Sequence, residues 1–154
     1  MTEEVLITRN GLHDARRELD FLYTVKRAEV SEDLRNAIEH GGSKDNAEYE
    51  NAKRKQAFIE GRIRQLEHII RNAVIMDILH KPRNVCFGSH VKVYNEAGKI
   101  EQFTIVGPFE TSPRTGKISY ESPLGRALLG KSVGDTIVVA TPLGPAKYVI
   151  EDIF

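Results

Sequence analysis

Cysteine, tryptophan and net charge are all scarce in this chain, and each shortage closes off a class of chemistry. Cys86 is the single cysteine among 154 residues, so no internal disulfide can form and no cysteine-built zinc site can be assembled. A lone cysteine of this kind reads as a buried, inert side chain. Tryptophan is absent and no aromatic-lined pocket is legible; Phe87, Phe103, Phe109 and Phe154 read instead as sheet-core residues. His13, His40, His68, His80 and His90 are scattered without the spacing of metal ligands. The sequence has neither a glycine-rich phosphate loop nor a nucleophile elbow. No stretch approaches the roughly 20 apolar residues that a membrane-spanning helix needs. Met1-Thr2-Glu3-Glu4 does not read as a signal peptide, so the expectation is a soluble, cytoplasmic protein with no membrane partner. Lys plus Arg number 22 and Asp plus Glu also number 22. Residues 1–80 hold 13 basic and 15 acidic side chains, and residues 81–154 hold 9 and 7. Neither half has the basic excess by which proteins wrap phosphates, which argues against free-standing duplex binding as the main activity.

What the chain does have is a long helical pattern that reverses once. After the apolar lead Val5-Leu6-Ile7, Thr8 reads as a helix cap, and the spacing predicts a helix to about Glu39 with no proline inside it. Leu12, Ala15, Leu19 and Leu22 mark a helical seam that Val25, Val30, Leu34 and Ala37 continue less regularly. Gly41 and Gly42 end this helix. The returning segment carries Ala52, Gln56, Ile59, Ile63, Leu66, Ile70 and Ala73 at spacings of 4, 3, 4, 3, 4 and 3, an unbroken heptad seam. Gln56, polar inside that seam, either sets the register of the two helices or is a partly exposed filler. Two helices of about 30 residues joined by a short turn are antiparallel neighbours, a rod of roughly 45 Å at about 1.5 Å per residue.

The helical period stops near residue 77, and alternation with period two follows. Val91–Tyr94, Phe103–Val106, Ile118–Tyr120, Thr136–Val139 and Tyr148–Ile150 are predicted strands separated by turn residues. Between the third and fourth, Ser122 as cap, Pro123 at the first helical position and Gly130 past the end mark a short helix. The predicted fold is α+β. A coiled-coil hairpin spans residues 1–77 with its tip at 40–49, a linker spans 78–87, and a small, mostly antiparallel sheet domain with one short helix spans 88–154.

The tip reads His40-Gly41-Gly42-Ser43-Lys44-Asp45-Asn46-Ala47-Glu48-Tyr49. Its glycines free the backbone, and a lysine, a carboxylate and an amide stand where the second helix begins. Asp45 suits the cap of that helix, with Glu48 three residues on in a capping-box arrangement. Lys53-Arg54-Lys55, with Lys44, form a basic cluster that by itself reads as a solvated face paired with Glu48 and Glu50. Tyr49 reads as packing across the hairpin end.

Four segments in order carry a resemblance: Glu18-Leu19-Asp20-Phe21-Leu22, Asn46-Ala47-Glu48-Tyr49, Glu60-Gly61-Arg62-Ile63 and Ser122 to Lys131. Together they resemble the bacterial Gre transcript cleavage factors over nearly the whole chain. The resemblance implies an FKBP-like sheet domain that docks on bacterial RNA polymerase at the mouth of its secondary channel, and a hairpin that enters the channel. Tip carboxylates then help the polymerase cleave the nascent RNA 3' end in backtracked complexes. The implied chemistry is two-metal phosphodiester hydrolysis. Its magnesium is shared with the polymerase active centre, and the factor has no cofactor or active site of its own.

By the same resemblance Asp45 is the catalytic carboxylate and magnesium ligand. Lys44, Asn46, Glu48, Tyr49, Lys53 and Arg54 are the tip and RNA-facing residues. Ser122, Pro123 and Leu124 meet the polymerase, and the factor is a monomer. The family tip is similar to His-Gly-Asp-Leu-Lys-Glu-Asn-Ala-Glu-Tyr. This chain therefore has Gly42 where an aspartate is expected and Asp45 where a glutamate is expected. The alternative that follows is a channel-binding regulator with weak or no cleavage stimulation.

Overall fold

The computed structural model describes residues 3–41, 47–76 and 82–154. These divide into two compact units, one of Leu12–Ala73 and one of Glu4–Gly11 with Val74–Phe154. The second unit thus includes the first strand and the start of the first helix, residues the sequence pattern groups with the hairpin.

The helical unit is the expected hairpin. Its first arm is a single run built from α1 (Arg9–Phe21), a π-helical turn (Leu22–Lys26) and α2 (Arg27–Gly41), and its second arm is α3 (Ala47–Arg71). The backbone stays right-handed helical through both ends of the π turn, at Phe21 and Arg27. Ala15, Leu22, Val30, Ile59, Ile63 and Leu66 form the buried seam, flanked by Leu19, Leu34 and Ile70. Ile69, rather than Ile70, is fully covered.

The π turn accounts for the irregular first arm. A seam running 12, 15, 19, 22 would next fall at 26, 29, 33 and 36, whereas the apolar residues stand at 30, 34 and 37, one position late. A hydrogen-bonded ring closed from i to i+5 holds one residue more than an α turn, so it absorbs the extra residue and returns the seam to α3. Val25, expected on the seam, is 39% exposed as a result.

Charged pairs bridge the arms along the seam. Arg62 donates to both oxygens of Glu18 at 2.6 and 2.8 Å, and Arg27 to both oxygens of Glu60 at 2.8 Å. The Arg27 hydrogen bonds hold the Glu60 carboxyl below its ordinary pKa. Tyr23, whose ring lies 4.6 Å from the Arg27 guanidinium, donates its hydroxyl to Glu67, which pushes the phenol pKa up. Gln56 is half-buried, and its amide oxygen accepts from Lys53 on its own helix at 3.3 Å.

The sheet unit holds all five expected strands: β3 (His90–Asn95), β4 (Ile100–Val106), β5 (Lys117–Ser119), β6 (Thr136–Thr141) and β7 (Gly144–Ile153), in the order β5-β4-β3-β7-β6. Three pairings are antiparallel, and the edge pair β4–β5 is parallel. The core comprises Val91, Val93, Ile105, Ile137, Val139, Ile150 and Ile153 from the strands and Leu128 from the short helix α4 (Pro123–Leu128). Val85, within the expected linker, belongs to this core and donates its backbone N–H to Lys131. Cys86 is half-buried, its sulfur 3.3 Å from the Ser89 hydroxyl. Of the four phenylalanines expected in the core, Phe87 and Phe103 pack against Tyr120 and Tyr148. Phe109 and Phe154 are 47% and 48% exposed, the latter stacked on His90.

Two further strands escape the periodicity. β1 (Val5–Ile7) and β2 (Ala73–Ile75) form a two-stranded sheet, so Ala73 ends as strand rather than as the last turn of α3. Thr8 caps α1 as expected, accepting from Gly11 N–H at 3.0 Å. Glu110 holds that cap, accepting from the Thr8 amide at 3.0 Å and from the Thr8 hydroxyl.

Ile63 is 1% exposed, and an unpaired carboxylate buried there costs several kcal/mol. Ile63→Asp is expected to remove much of the helical circular dichroism while the sheet unit, whose core contains no hairpin residue, still melts cooperatively. The π turn yields a second expectation. Deleting exposed Thr24 converts it to an α turn with the seam in phase, so the melting temperature holds or rises. Inserting an alanine after Thr24 throws the seam out of phase and lowers it, as a thermal melt of each variant would read.

Candidate functional site

At the hairpin end, α2 closes at Gly41 and α3 opens at Ala47. Gly42, Lys44, Asp45 and Asn46 lie outside the described residues, and with them the expected cap of α3 by Asp45. Glu48 occupies the exposed first turn of α3, where the helix dipole favours a carboxylate. It lines, with Asp33 and Lys55, a cleft of about 220 Å³ between α2 and α3. Among the described residues no three His, Cys, Asp or Glu side chains converge on a metal position. The described carboxylates that flank the tip are Glu39 near the end of α2 and Glu48 at the start of α3, both exposed.

The expected basic cluster divides between faces, because successive helical residues are about 100° apart. Lys53 points along the tip side, its ammonium 5.9 Å from the ring of half-buried Tyr49. Lys55 is paired with Asp33 at 3.5 Å. Arg54 has no carboxylate partner among the described residues and lines a separate groove with exposed Phe58. That groove was not singled out from the sequence. Its one advance signal is Phe58 itself, a large apolar residue between the seam positions Gln56 and Ile59.

In the sheet unit, α4 presents its start through three residues with different duties. The Ser122 hydroxyl donates to Ser119 O at 2.7 Å and accepts from Gly125 N–H at 3.1 Å, so it is committed to capping. Pro123 is exposed and Leu124 packs partly against the core. A Cβ on Gly125 would stand 2.0 Å from the Ser119 carbonyl oxygen, so only glycine lets α4 approach β5 this closely.

Comparisons with known proteins cover both units. Residues 5–75 match the family model for the N-terminal domain of transcription elongation factors, and residues 80–154 match that for the GreA/GreB C-terminal domain. Transcription elongation factor GreA of Thermoanaerobacter pseudethanolicus is 46% identical over 99% of both chains. GreA of Clostridium botulinum is 43% identical over 98% of this chain and 96% of its own. A solved structure of the transcription factor Gfh1 aligns over 99% of both chains at 31% identity, with a TM-score of 0.49. With both halves matched in order and nearly the whole length aligned to these relatives, the chain belongs to the GreA/GreB family of transcription elongation factors.

Proposed function

We propose that this chain binds bacterial RNA polymerase, passes its hairpin end through the secondary channel and promotes cleavage of backtracked RNA, so that arrested complexes resume elongation. The observation that carries the reading is the hairpin's construction. Two long helical arms stop at Gly41 and restart at Ala47, and five residues of sequence, Gly42-Ser43-Lys44-Asp45-Asn46, lie between them. In sequence that link carries a lysine, a carboxylate and an amide and no large apolar residue that would belong to a core. Magnesium bound in the polymerase centre supplies water activation and charge neutralisation at the scissile phosphate. The chain lends Asp45 as a ligand and Lys53, beside Tyr49, as a cation toward the displaced RNA, while Pro123 at the exposed start of α4 meets the polymerase surface. A single Asp45 with Glu48 does not make a two-metal site, so the chain with magnesium alone is not a nuclease.

A second reading rests on Gly42. One tip carboxylate is missing, and Asp45 is a methylene shorter than the glutamate of the resembling tip. A displacement of about 1 Å at a reacting group can cost on the order of 100-fold in rate. The protein would then occupy the channel with weak cleavage stimulation or none.

Transcript cleavage by stalled complexes of the cognate polymerase separates the two. Gly42→Asp is expected to raise cleavage, and the double change with Asp45→Glu to raise it further. Asp45→Asn is expected to abolish whatever activity the native chain has, because the amide retains much of the capping ability and loses the charge. Native activity equal to that of an active cleavage factor, with no gain from Gly42→Asp, would defeat the missing-ligand argument. Docking has its own test. Pro123→Asp keeps a favourable first-turn residue in α4 and is expected to weaken polymerase binding about tenfold without changing the melting temperature.

A further inference from the structure

Two features of the shaft work against its own stability, and they meet at one place. The π turn at Leu22–Lys26 gives up regular α geometry, and Phe58 on the facing arm is 77% exposed. Both border a groove of about 580 Å³ whose floor is Leu22, Val30 and Ile59 and whose rim carries Lys26, Arg54 and Phe58. Glu29, Asp33 and Lys55 complete its edge. The charges there are largely settled internally. Lys26 pairs with Glu29 at 3.0 Å and Lys55 with Asp33 at 3.5 Å. Arg54 is left without a carboxylate among the described residues.

An apolar floor, an open phenylalanine ring and one unneutralised guanidinium are complementary to an apolar side chain with a carboxylate beside it. Nucleic acid suits the groove less well, since with Lys26 and Lys55 paired only Arg54 is left for a run of phosphates. We propose that the groove beside Phe58 is a protein-docking site that receives an apolar side chain of RNA polymerase, with an adjacent polymerase carboxylate on Arg54. It gives the helical unit a polymerase contact of its own. This rests on the reading of the hairpin as polymerase-bound.

The test uses the full-length chain with purified cognate polymerase on a backtracked RNA. Phe58→p-benzoylphenylalanine is irradiated in the complex, and Phe58→Ala and Phe58→Leu are titrated beside the native chain. The expected result is an adduct on a polymerase polypeptide, about tenfold weaker binding for Phe58→Ala and near-native binding for Phe58→Leu. Exposed Phe58 contributes little to the seam, so helical circular dichroism and melting should match the native chain. An adduct confined to RNA or to a second copy of the chain overturns the assignment, as does Phe58→Ala binding polymerase as tightly as native. If the native chain itself fails to bind polymerase in the same titration, the functional reading falls with it. Native binding with an indifferent Phe58→Ala removes only the groove.

Discussion

Two helices that each bury one apolar stripe must keep those stripes facing for the whole length of their contact, and the hairpin is organised around that phase requirement. Ile59, Ile63 and Leu66 on α3 form the reference line. Leu12, Ala15, Leu19 and Leu22 match it on the first arm, and Val30, Leu34 and Ala37 match it only after one surplus residue is absorbed. The π turn is the local solution, with poorer helix geometry accepted over five residues so that the burial on either side stays continuous. The same turn leaves Val25 exposed and borders the groove at Phe58. A feature of phase thus becomes a feature of surface.

Polar contacts then select one pairing of the arms from those the apolar stripe allows. Exposed ion pairs add little stability and are screened by salt, but bidentate geometry is specific. Glu18 with Arg62, and Arg27 with Glu60, meet only when the arms are in this register. Glu18, Glu60 and Arg62 lie in two of the segments by which the chain resembles its family, so those segments carry shaft architecture. The Ser122 to Lys131 segment is similar. Ser122 and Gly125 are occupied in capping α4 and in letting it approach β5, while Pro123, Arg126 and Lys131 are exposed.

Winding on a helix separates side chains that sequence order groups together. Lys53 and Arg54 are adjacent in sequence but serve different faces, the first beside Tyr49 and the second beside Phe58. Lys55, next in line, is neutralised by Asp33. A run of three cations that reads as one patch resolves, once wound on a helix, into three separate environments.

Periodicity, caps and turn residues determined much of this protein from the sequence alone. The reversal near residue 41, the α3 seam, the Thr8 and Ser122 caps and all five strands of the main sheet leave a periodicity or a cap signature that repeats within a few residues, and local pattern records those. Tertiary structure decided what depends on residues far apart. Thr8 and Glu110 are 102 positions apart, and nothing near either predicts that one carboxylate will hold the start of the first helix. β1 and β2 are too short to show alternation and exist because they pair with each other. The parallel β4–β5 edge, the burial of Val85, and the exposure of Phe58, Phe109 and Phe154 were likewise settled by which surfaces came to cover them. Burial is a property of the neighbours a side chain acquires on folding, and those neighbours are not adjacent in sequence.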